Sequence, residues 1–579
     1  MTMTSPPPSP PPPPPSSPAE ILTYILHHLL PLLLSASLSV KTFVTRWRLL
    51  HSSLILLRSS LSDPSLPSSL SHPLLHPLLP SLLSLLRSLL SLSSRCLDPS
   101  LPSGKLHLQS DLDVAASSLS LHLHDLSLLL RSGLLVHPPA ADHQHAIVLP
   151  LPSASASDDD LSLFVRDLFA RLQIGSLDLK LKGLDSLLDL LQSDPPKISP
   201  VVAAEGDVAA VLRFLDSSSH SLLRDRAAAA VSLLCTASEA SRRAVFDEGG
   251  LGPLLRLLEA GSAAVRGRAA AAVEAIAADQ ASAWAIAAYG GVSALVNACR
   301  PGSGSASLQE LAAASLRNVA AIDDVRAAMV EEGAIPVLVD LLTSGTVEAQ
   351  KNSALCLYSL ASTGGDEIRA AIVQEAGLLR LLQCLREASD QELQESTLKA
   401  IHAISSLPAA AKALCSSHPF FAHVTDLVRR GSVTAVALLS DLSPDEDIKR
   451  STAACMVSLV KMMETSKPAT VQETAARALV SLLAVRSNRK ELVRDEKSVM
   501  RLVQMLDPRN EEVCKRFPVL VVLALTSGGG NGCRKRLAEA GACNFLQKLA
   551  DADVVGAKKA LQRIAGSRLK NLFSMGWNS

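Results

Sequence analysis

Aromatic side chains are scarce in this sequence. Phe, Trp and Tyr make up 3% of its 579 residues, although 48% of the residues are apolar. An apolar content supplied mainly by Leu and Ala favours stacked helical ridges over one large globular core. The sequence also lacks net charge, since 55 Lys and Arg residues balance 55 Asp and Glu residues. No overall field attracts the chain to nucleic acid, and nucleic-acid binding is therefore not predicted.

Long uninterrupted apolar runs are missing as well. The segment Ile21–Leu34 is interrupted by His27, His28 and Pro31 and is shorter than the roughly 20 residues that a membrane-spanning helix needs. The segment Leu78–Leu92 carries Pro80 and Arg87. The sequence therefore predicts no membrane span.

Catalytic and metal-binding motifs are not found either. The ten cysteines form no C-x-x-C pair, which indicates a reducing compartment, cytoplasmic and/or nuclear, and no metal site. The string GGGNGCRK (528–535) resembles a phosphate loop, but it follows a predicted helix and lacks the G-K-[ST] ending. We interpret it as a turn between helices. No nucleophile elbow, zinc-protease, kinase or dinucleotide motif is present, so we predict no enzymatic activity and no cofactor.

A repeated helical unit dominates the rest of the sequence, most clearly at residues 331–361. Gly333 precedes a helix with Pro336 in its first turn, and Ser344-Gly345 ends that helix before a longer apolar helix begins. Glycines that open such units recur, the first five at intervals of 41–44 residues: Gly206, Gly250, Gly291, Gly333, Gly377 and Gly541. A period of 40–47 residues made only of helices is typical of armadillo or HEAT solenoids.

The strings EEGAIPVLVDLL (331–342) and LQELAAASLRNVA (308–320) resemble the armadillo family specifically. We therefore predict an all-α fold, an armadillo-type α-solenoid of about eight to nine repeats preceded by a small N-terminal helical bundle. The stretch between Ile401 and Leu479 breaks the period, and we interpret it as a degenerate repeat; a local kink is the alternative.

Changes in composition predict the domain boundaries. Pro-rich and Ser-rich segments separate stretches with helical periodicity, and the bundle should contain helices near 20–36, 39–61, 74–95 and 109–132. The predicted division is a disordered Pro-rich tail 1–19, the bundle 20–136, a linker 137–160, a helical junction 161–200, the solenoid 201–566 and a C-terminal tail 567–579.

The string GKLHLQSDLDVAASSLSLHLHDLSLLL (104–130) resembles the N-terminal domain of plant U-box armadillo proteins. In that family the U-box is a ubiquitin-ligase module with Cys-Pro-Ile and Asp-Pro-Val landmarks. Neither landmark occurs between residues 136 and 200, where the module would lie. The resemblance therefore leaves one alternative function, a substrate-recruiting component of a ubiquitin-ligase pathway without its own U-box.

The armadillo resemblance implies that the long third helix of each repeat lines a binding groove. Importin-like members of this fold hold basic peptides with Trp and Asn ladders, but here only Asn318 matches, and no Trp does. The polar positions of the predicted groove combine cations, amides and a phenol that suit an acidic or phosphorylated segment. We predict a non-enzymatic adaptor, monomeric, that binds a protein partner. The candidate groove residues are Arg317, Asn318, Lys351, Tyr358, Lys399, His402 and Arg477.

Overall fold

The computed structural model describes the helical parts of the chain. The predicted Pro-rich tail up to residue 16, most of the predicted linker 137–160 and the C-terminal tail 567–579 lie outside the described residues. The residues described are 17–97 without 71 and 73, 105–131, 152, 157–442, 445–465, 468–528 and 531–565.

All regular structure in the described residues is helical, and the chain separates into two compact units, Met1–Ile276 and Ala277–Ser579. The first unit contains α1 Pro18–Tyr24, α2 Leu30–Ser39, α3 Val44–Leu61, α4 Leu75–Leu97, α5 Lys105–Arg131, α6 Asp158–Ile174, α7 Leu177–Ser193, α8 Pro195–Glu205, α9 Val208–Arg213, α10 Ser221–Ala237, α11 Glu239–Asp247, α12 Leu251–Ala260 and α13 Ala263–Ala277.

The second unit begins at Ala277, the last residue of α13. Its helices are α14 Gln280–Ala288, α15 Gly291–Cys299, α16 Ala306–Val319, α17 Asp323–Glu331, α18 Ala334–Ser344, α19 Val347–Thr363, α20 Gly365–Gln374, α21 Gly377–Glu387, α22 Gln391–Ile404, α23 Pro408–Cys415, α24 His418–Arg429, α25 Val433–Asp441, α26 Glu446–Ser451, α27 Met456–Thr465, α28 Ala469–Leu482, α29 Arg486–Arg494, α30 Glu496–Met505, α31 Arg516–Thr526, α32 Asn531–Glu539, α33 Ala542–Asp551 and α34 Ala557–Ala565.

The predicted N-terminal bundle is confirmed as a helical region formed by α1 to α5. A π-helical turn, Ile25–Leu29, joins α1 to α2. Pro31 in the first turn of α2 has no backbone N–H to donate. The core of the bundle consists mainly of leucines packed around the fully buried Trp47. Ala170 of α6 belongs to the same core, so the bundle packs directly on the helix that follows it in the sequence.

Two helices of the bundle pass the length and composition test for a membrane span. The continuous helical segment Pro18–Ser39 has 22 residues and α4 has 23, and the bent pair α14 and α15 passes if it is counted as one span. The prediction that Ile21–Leu34 is too short was wrong on length, because the helix continues to Ser39. Only 39% and 44% of the two apolar windows are buried. The expectation that no segment spans a membrane stays a prediction.

The solenoid is built from three-helix repeats, as predicted. The first unit contains the triplets α8–α10 and α11–α13, and the second contains seven triplets from α14–α16 to α32–α34. The described residues thus form nine repeats. In the second unit each third helix packs on the next, in the order α16, α19, α22, α25, α28, α31 and α34.

The stretch that breaks the sequence period forms a three-helix repeat. Its third helix, α25, packs between α22 and α28 in the same stack as the other third helices. The helix α25 is only nine residues long, and the turn before it holds Gly431 at φ 95°. The turn before the second helix of this repeat, α24, has no opening glycine. The interpretation as a degenerate repeat is therefore confirmed.

Candidate functional site

Five consecutive third helices of the second unit, α16 to α28, share one register, which their capping residues reveal. In the first four of these helices, the side chain of the capping residue accepts a hydrogen bond from a backbone N–H of the first turn. The capping residues of α16, α19, α22, α25 and α28 are Ser305, Thr346, Asp390, Ser432 and Pro468. The ninth residue after each cap, in the same order, is Ala314, Leu355, Lys399, Asp441 and Arg477. We call the surface formed by this column and its polar neighbours the third-helix face.

Arg317 and Asn318 lie together at one end of this face. The Arg317 guanidinium donates from Nη1 to Oδ1 of Asn352 at 2.7 Å and from Nη2 to Oδ1 of Asn318 at 3.1 Å. Asn352 belongs to the next third helix, α19, and is buried. The contact therefore joins two repeats by a charge-assisted hydrogen bond.

Lys351 lies at the next step and is already paired. Its Nζ donates to Oε1 of Glu348 at 2.7 Å and to Oε2 of Glu392 at 2.8 Å. These hydrogen bonds, first the one to Glu348 and then the one to Glu392, raise the pKa of the Lys351 ammonium. Tyr358 lies on the same helix with 38% of its surface exposed. Lys351 thus presents a compensated charge, and Tyr358 presents an accessible ring and hydroxyl.

His402 and Arg477 meet through a residue that the sequence analysis did not single out. Nε2 of His402 lies 2.9 Å from Oδ2 of Asp441, and Nη2 of Arg477 donates to Oδ1 of the same carboxylate at 2.6 Å. The three residues come from α22, α25 and α28. Asp441 was missed because the opening glycines lose their regular spacing in this repeat. Its position nine residues after the capping residue Ser432 would have identified it as a member of the same column.

Lys399 differs from the other predicted cations. It is half-buried in the middle of the third-helix face and has no hydrogen bond or ion pair to any residue that the structure describes. The nearby carboxylate of Glu395, four residues earlier on α22, is occupied by hydroxyl donors, with Oγ of Ser432 at 2.8 Å and Oγ1 of Thr434 on its other oxygen. Lys399 therefore has no direct hydrogen-bond or ion-pair partner among the described residues, on a face that is otherwise internally paired.

Five of the seven predicted site residues thus fall into three groups along consecutive helices of one stack, whereas Tyr358 and Lys399 belong to none of them. Arg317 and Asn318 form an amide cluster, Lys351 forms a carboxylate cluster, and His402 and Arg477 share one aspartate. Within the described residues no group of three or more His, Cys, Asp or Glu side chains is placed to hold a metal ion. The face offers hydrogen bonds and charge for recognition.

Family models match a segment of the N-terminal helical region and a segment of the solenoid. Residues 24–134 match the model of a domain of unknown function (DUF7032), and residues 323–362 match an armadillo/beta-catenin-like repeat. No curated protein matches the chain in sequence.

Solved structures similar to this chain include engineered proteins. One engineered protein is 27% identical with a TM-score of 0.58, covering 71% of this chain and 100% of its own. A second is 29% identical with a TM-score of 0.38, covering 43% of this chain and 97% of its own. A designed armadillo repeat protein is 22% identical with a TM-score of 0.38, covering 41% of this chain and 98% of its own.

The armadillo match coincides with one structural repeat. Residues 323–362 run from the first residue of α17 to the last turn of α19, and they include Lys351 and Tyr358. The same three-helix arrangement continues before and after this repeat. The chain is an armadillo-repeat protein, an all-α solenoid preceded by an N-terminal helical region.

Proposed function

We propose that the chain is an adaptor that binds an extended segment of a protein partner along the third-helix face of its second unit. The observation that carries this proposal is the row of polar contacts that joins consecutive third helices from α16 to α28. Such a row gives a partner backbone regularly spaced donors and acceptors, which is how solenoid surfaces recognise peptides.

The contacts favour an acidic or phosphorylated residue of the partner at Lys399. An anion that approached Lys351 would compete with Glu348 and Glu392, and one that approached Arg477 would compete with Asp441. Lys399 requires no such exchange, because no described carboxylate forms a hydrogen bond or ion pair with it. A half-buried cation gains more from an ionic partner than a solvated one, since water screens it less.

The experiment is a binding screen with the full chain. Fluorescence anisotropy would compare acidic, phosphorylated, neutral and basic peptides of equal length, and the best binder would be titrated against variants. Lys399→Glu should weaken an acidic or phosphorylated peptide about tenfold, which corresponds to roughly 1.4 kcal/mol. Asp441→Asn should strengthen the same peptide, because it releases His402 and Arg477.

The matched control is Lys412→Glu, which reverses an exposed charge on α23, outside the third-helix face. It should leave the affinity within about twofold. If Lys399→Glu binds every selected peptide as tightly as the unaltered chain does, the third-helix face is not the binding surface. The N-terminal helical region would then be the next surface to test.

Two finer points belong to the same proposal. A substrate-recruiting role in ubiquitination rests on the resemblance of residues 104–130, which lie on or next to α5, to plant U-box armadillo proteins. An in vitro ubiquitination assay with candidate partner ligases would separate this role from a plain adaptor. We also propose a cytoplasmic or nuclear location, supported by cysteines that form no disulfide within the described residues.

A further inference from the structure

A cavity of about 370 Å³ lies between α29 and α32 in the second unit, and its lining is strongly basic. No acidic side chain lines it within the part of the chain that the structure describes. Its charged lining residues are Arg486, Arg489, Lys490, Arg494 and Arg536. Five cations in one cavity contrast with the balanced charge of the whole chain.

Four of these cations follow from the helical spacing of α29. Arg486, Arg489, Lys490 and Arg494 occur in the string RSNRKELVR, three, four and eight residues after the first, so they share one face of the helix. Like charges four residues apart destabilise a helix by a few tenths of a kcal/mol per pair. The arrangement is therefore unfavourable for α29 alone and becomes favourable when an anion lies between the side chains.

Two of the arginines are fixed by the backbone around the cavity. Nη1 of Arg489 donates to the carbonyl oxygens of Leu483 at 2.7 Å and Ala484 at 2.9 Å. Nη1 of Arg536 donates to the carbonyl oxygen of Val493 at 3.3 Å and lies 3.7 Å from Oε1 of Glu496. These contacts hold both guanidinium groups in place before any ligand arrives, which lowers the entropy cost of binding.

The other three cations have no such partners. Arg486, Lys490 and Arg494 are exposed and make no hydrogen bond or ion pair with any residue that the structure describes. Elsewhere on the solenoid many exposed arginines pair with a carboxylate, as Arg430 does with Asp426 at 2.6 Å. The unpaired cations around the cavity are thus free to receive an external anion.

The loop after α31 leaves room beside the fixed guanidinium of Arg489. Gly528 lines the cavity at φ 86°, a backbone conformation that side-chain-bearing residues rarely adopt. A Cβ atom at this position would lie 3.1 Å from Nη2 of Arg489. The glycine therefore lets the backbone approach Arg489 without a side chain that would block the cavity.

We propose that this cavity binds a compact ligand carrying several phosphate groups. Arginine forks match phosphate oxygens in pairs, and a multiply charged anion can contact several of these cations at once. The volume is near the lower end of ligand pockets, which fits a small molecule or a lipid headgroup. Single-stranded nucleic acid is less suited, because no aromatic side chain lines the cavity in the described residues to stack on a base.

The test titrates the full chain with two phosphate-bearing probes. Isothermal titration calorimetry would use inositol hexakisphosphate as the free polyanion. Flotation would use phosphatidylcholine vesicles with and without a phosphoinositide bisphosphate. Binding of the free probe alone assigns a soluble ligand, and binding of phosphoinositide vesicles assigns a headgroup; either result supports the proposal.

The decisive variant is Arg486→Gln combined with Lys490→Gln, which removes two unpaired cations and leaves the fixed arginines intact. Affinity for the probe should fall at least tenfold. The matched control is Lys497→Gln combined with Arg509→Gln, an exposed pair from the same repeat that does not line the cavity. It should change the affinity less than twofold.

Three results would overturn the proposal. One is an equal loss of affinity in both double variants, which indicates nonspecific attraction of polyanions. Another is no binding of either probe by the unaltered, folded chain at physiological salt. The third is binding of a phosphoserine peptide while both probes fail, which would assign the cavity to a protein partner.

Discussion

Leu357 provides the most direct test of how the repeats stabilise one another. It is fully buried in α19, and α19 packs against α16 and α22 on its two sides and against α18 within its own repeat. In a solenoid each repeat depends on the interfaces with its neighbours. Truncation of Leu357 should therefore weaken the repeats on both sides, and not only its own.

The expected magnitude follows from the burial. Leu357→Ala removes most of a fully buried side chain, and such changes cost about 3 kcal/mol once the remaining cavity is included. Since 1.4 kcal/mol corresponds to a factor of ten, the local opening equilibrium should increase by roughly 150-fold. The matched control is Leu379→Ala on α21, where the leucine is 67% exposed and the cost should stay within about 0.5 kcal/mol.

Hydrogen exchange with mass spectrometry is the suitable assay, because a repeat array need not unfold in two states. Peptides from α16, α19 and α22 should exchange much faster in Leu357→Ala than in Leu379→Ala. Peptides from α31 to α34, which lie further along the stack, should keep their protection in both variants. Equal exchange of the central peptides in the two variants would refute the assigned packing of α19.

Two further predictions concern single residues. Burial lowers the pKa of His72, whereas the carboxylate of Asp167, 3.7 Å away, acts in the opposite direction and the Arg171 guanidinium adds to the lowering. The unfolded chain therefore binds the proton more readily than the folded chain, and the stability should fall as the pH drops below about 6.5. In melting temperatures measured from pH 7.5 to 5, His72→Gln should make this fall less steep. An equally steep fall in the variant would contradict the prediction. Ala376 has a φ of 59°, which is strained for a residue with a side chain, and the neighbouring repeat has Gly333 at the equivalent position. In chemical denaturation, Ala376→Gly should therefore raise the free energy of unfolding by about 0.5–1 kcal/mol. A loss of stability would contradict the backbone strain at Ala376.

The fold could be predicted from the sequence because the signals for it, turn residues and leucine spacing, lie within short segments of the chain. In several repeats the turn before the second helix holds a left-handed residue, and Gly333 supplies it at φ 76° before α18. The helices of the N-terminal region were predicted to within a few residues, since leucine spacing marks their buried faces. The first helix was predicted near residues 20–36, but its apolar segment was judged too short for a membrane span because it was ended at Leu34, whereas the helix continues to Ser39.

The side-chain pairing of the site could not be predicted in the same way. Arg317 and Asn352 are 35 positions apart, and His402 and Asp441 are 39 apart, so each pair forms only when two repeats stack. The lining of the basic cavity could not be fully predicted for the same reason. The cations of α29 are visible in the sequence, but Arg536 joins them from the next repeat, and the adjoining glycine-rich string was interpreted only as a turn.

These pairings change what the cations of the third-helix face can do. A column of Lys and Arg in the sequence suggests a surface that attracts anions, but cations that bridge neighbouring repeats stabilise the stack first. Arg477 would have to leave Asp441 before it could bind a partner, and an exposed pair of this kind is worth at most about 1 kcal/mol. That cost is small enough for a partner to overcome and large enough to favour Lys399 as the first contact. Selectivity along the face should therefore depend on which cations are already paired, more than on how many there are.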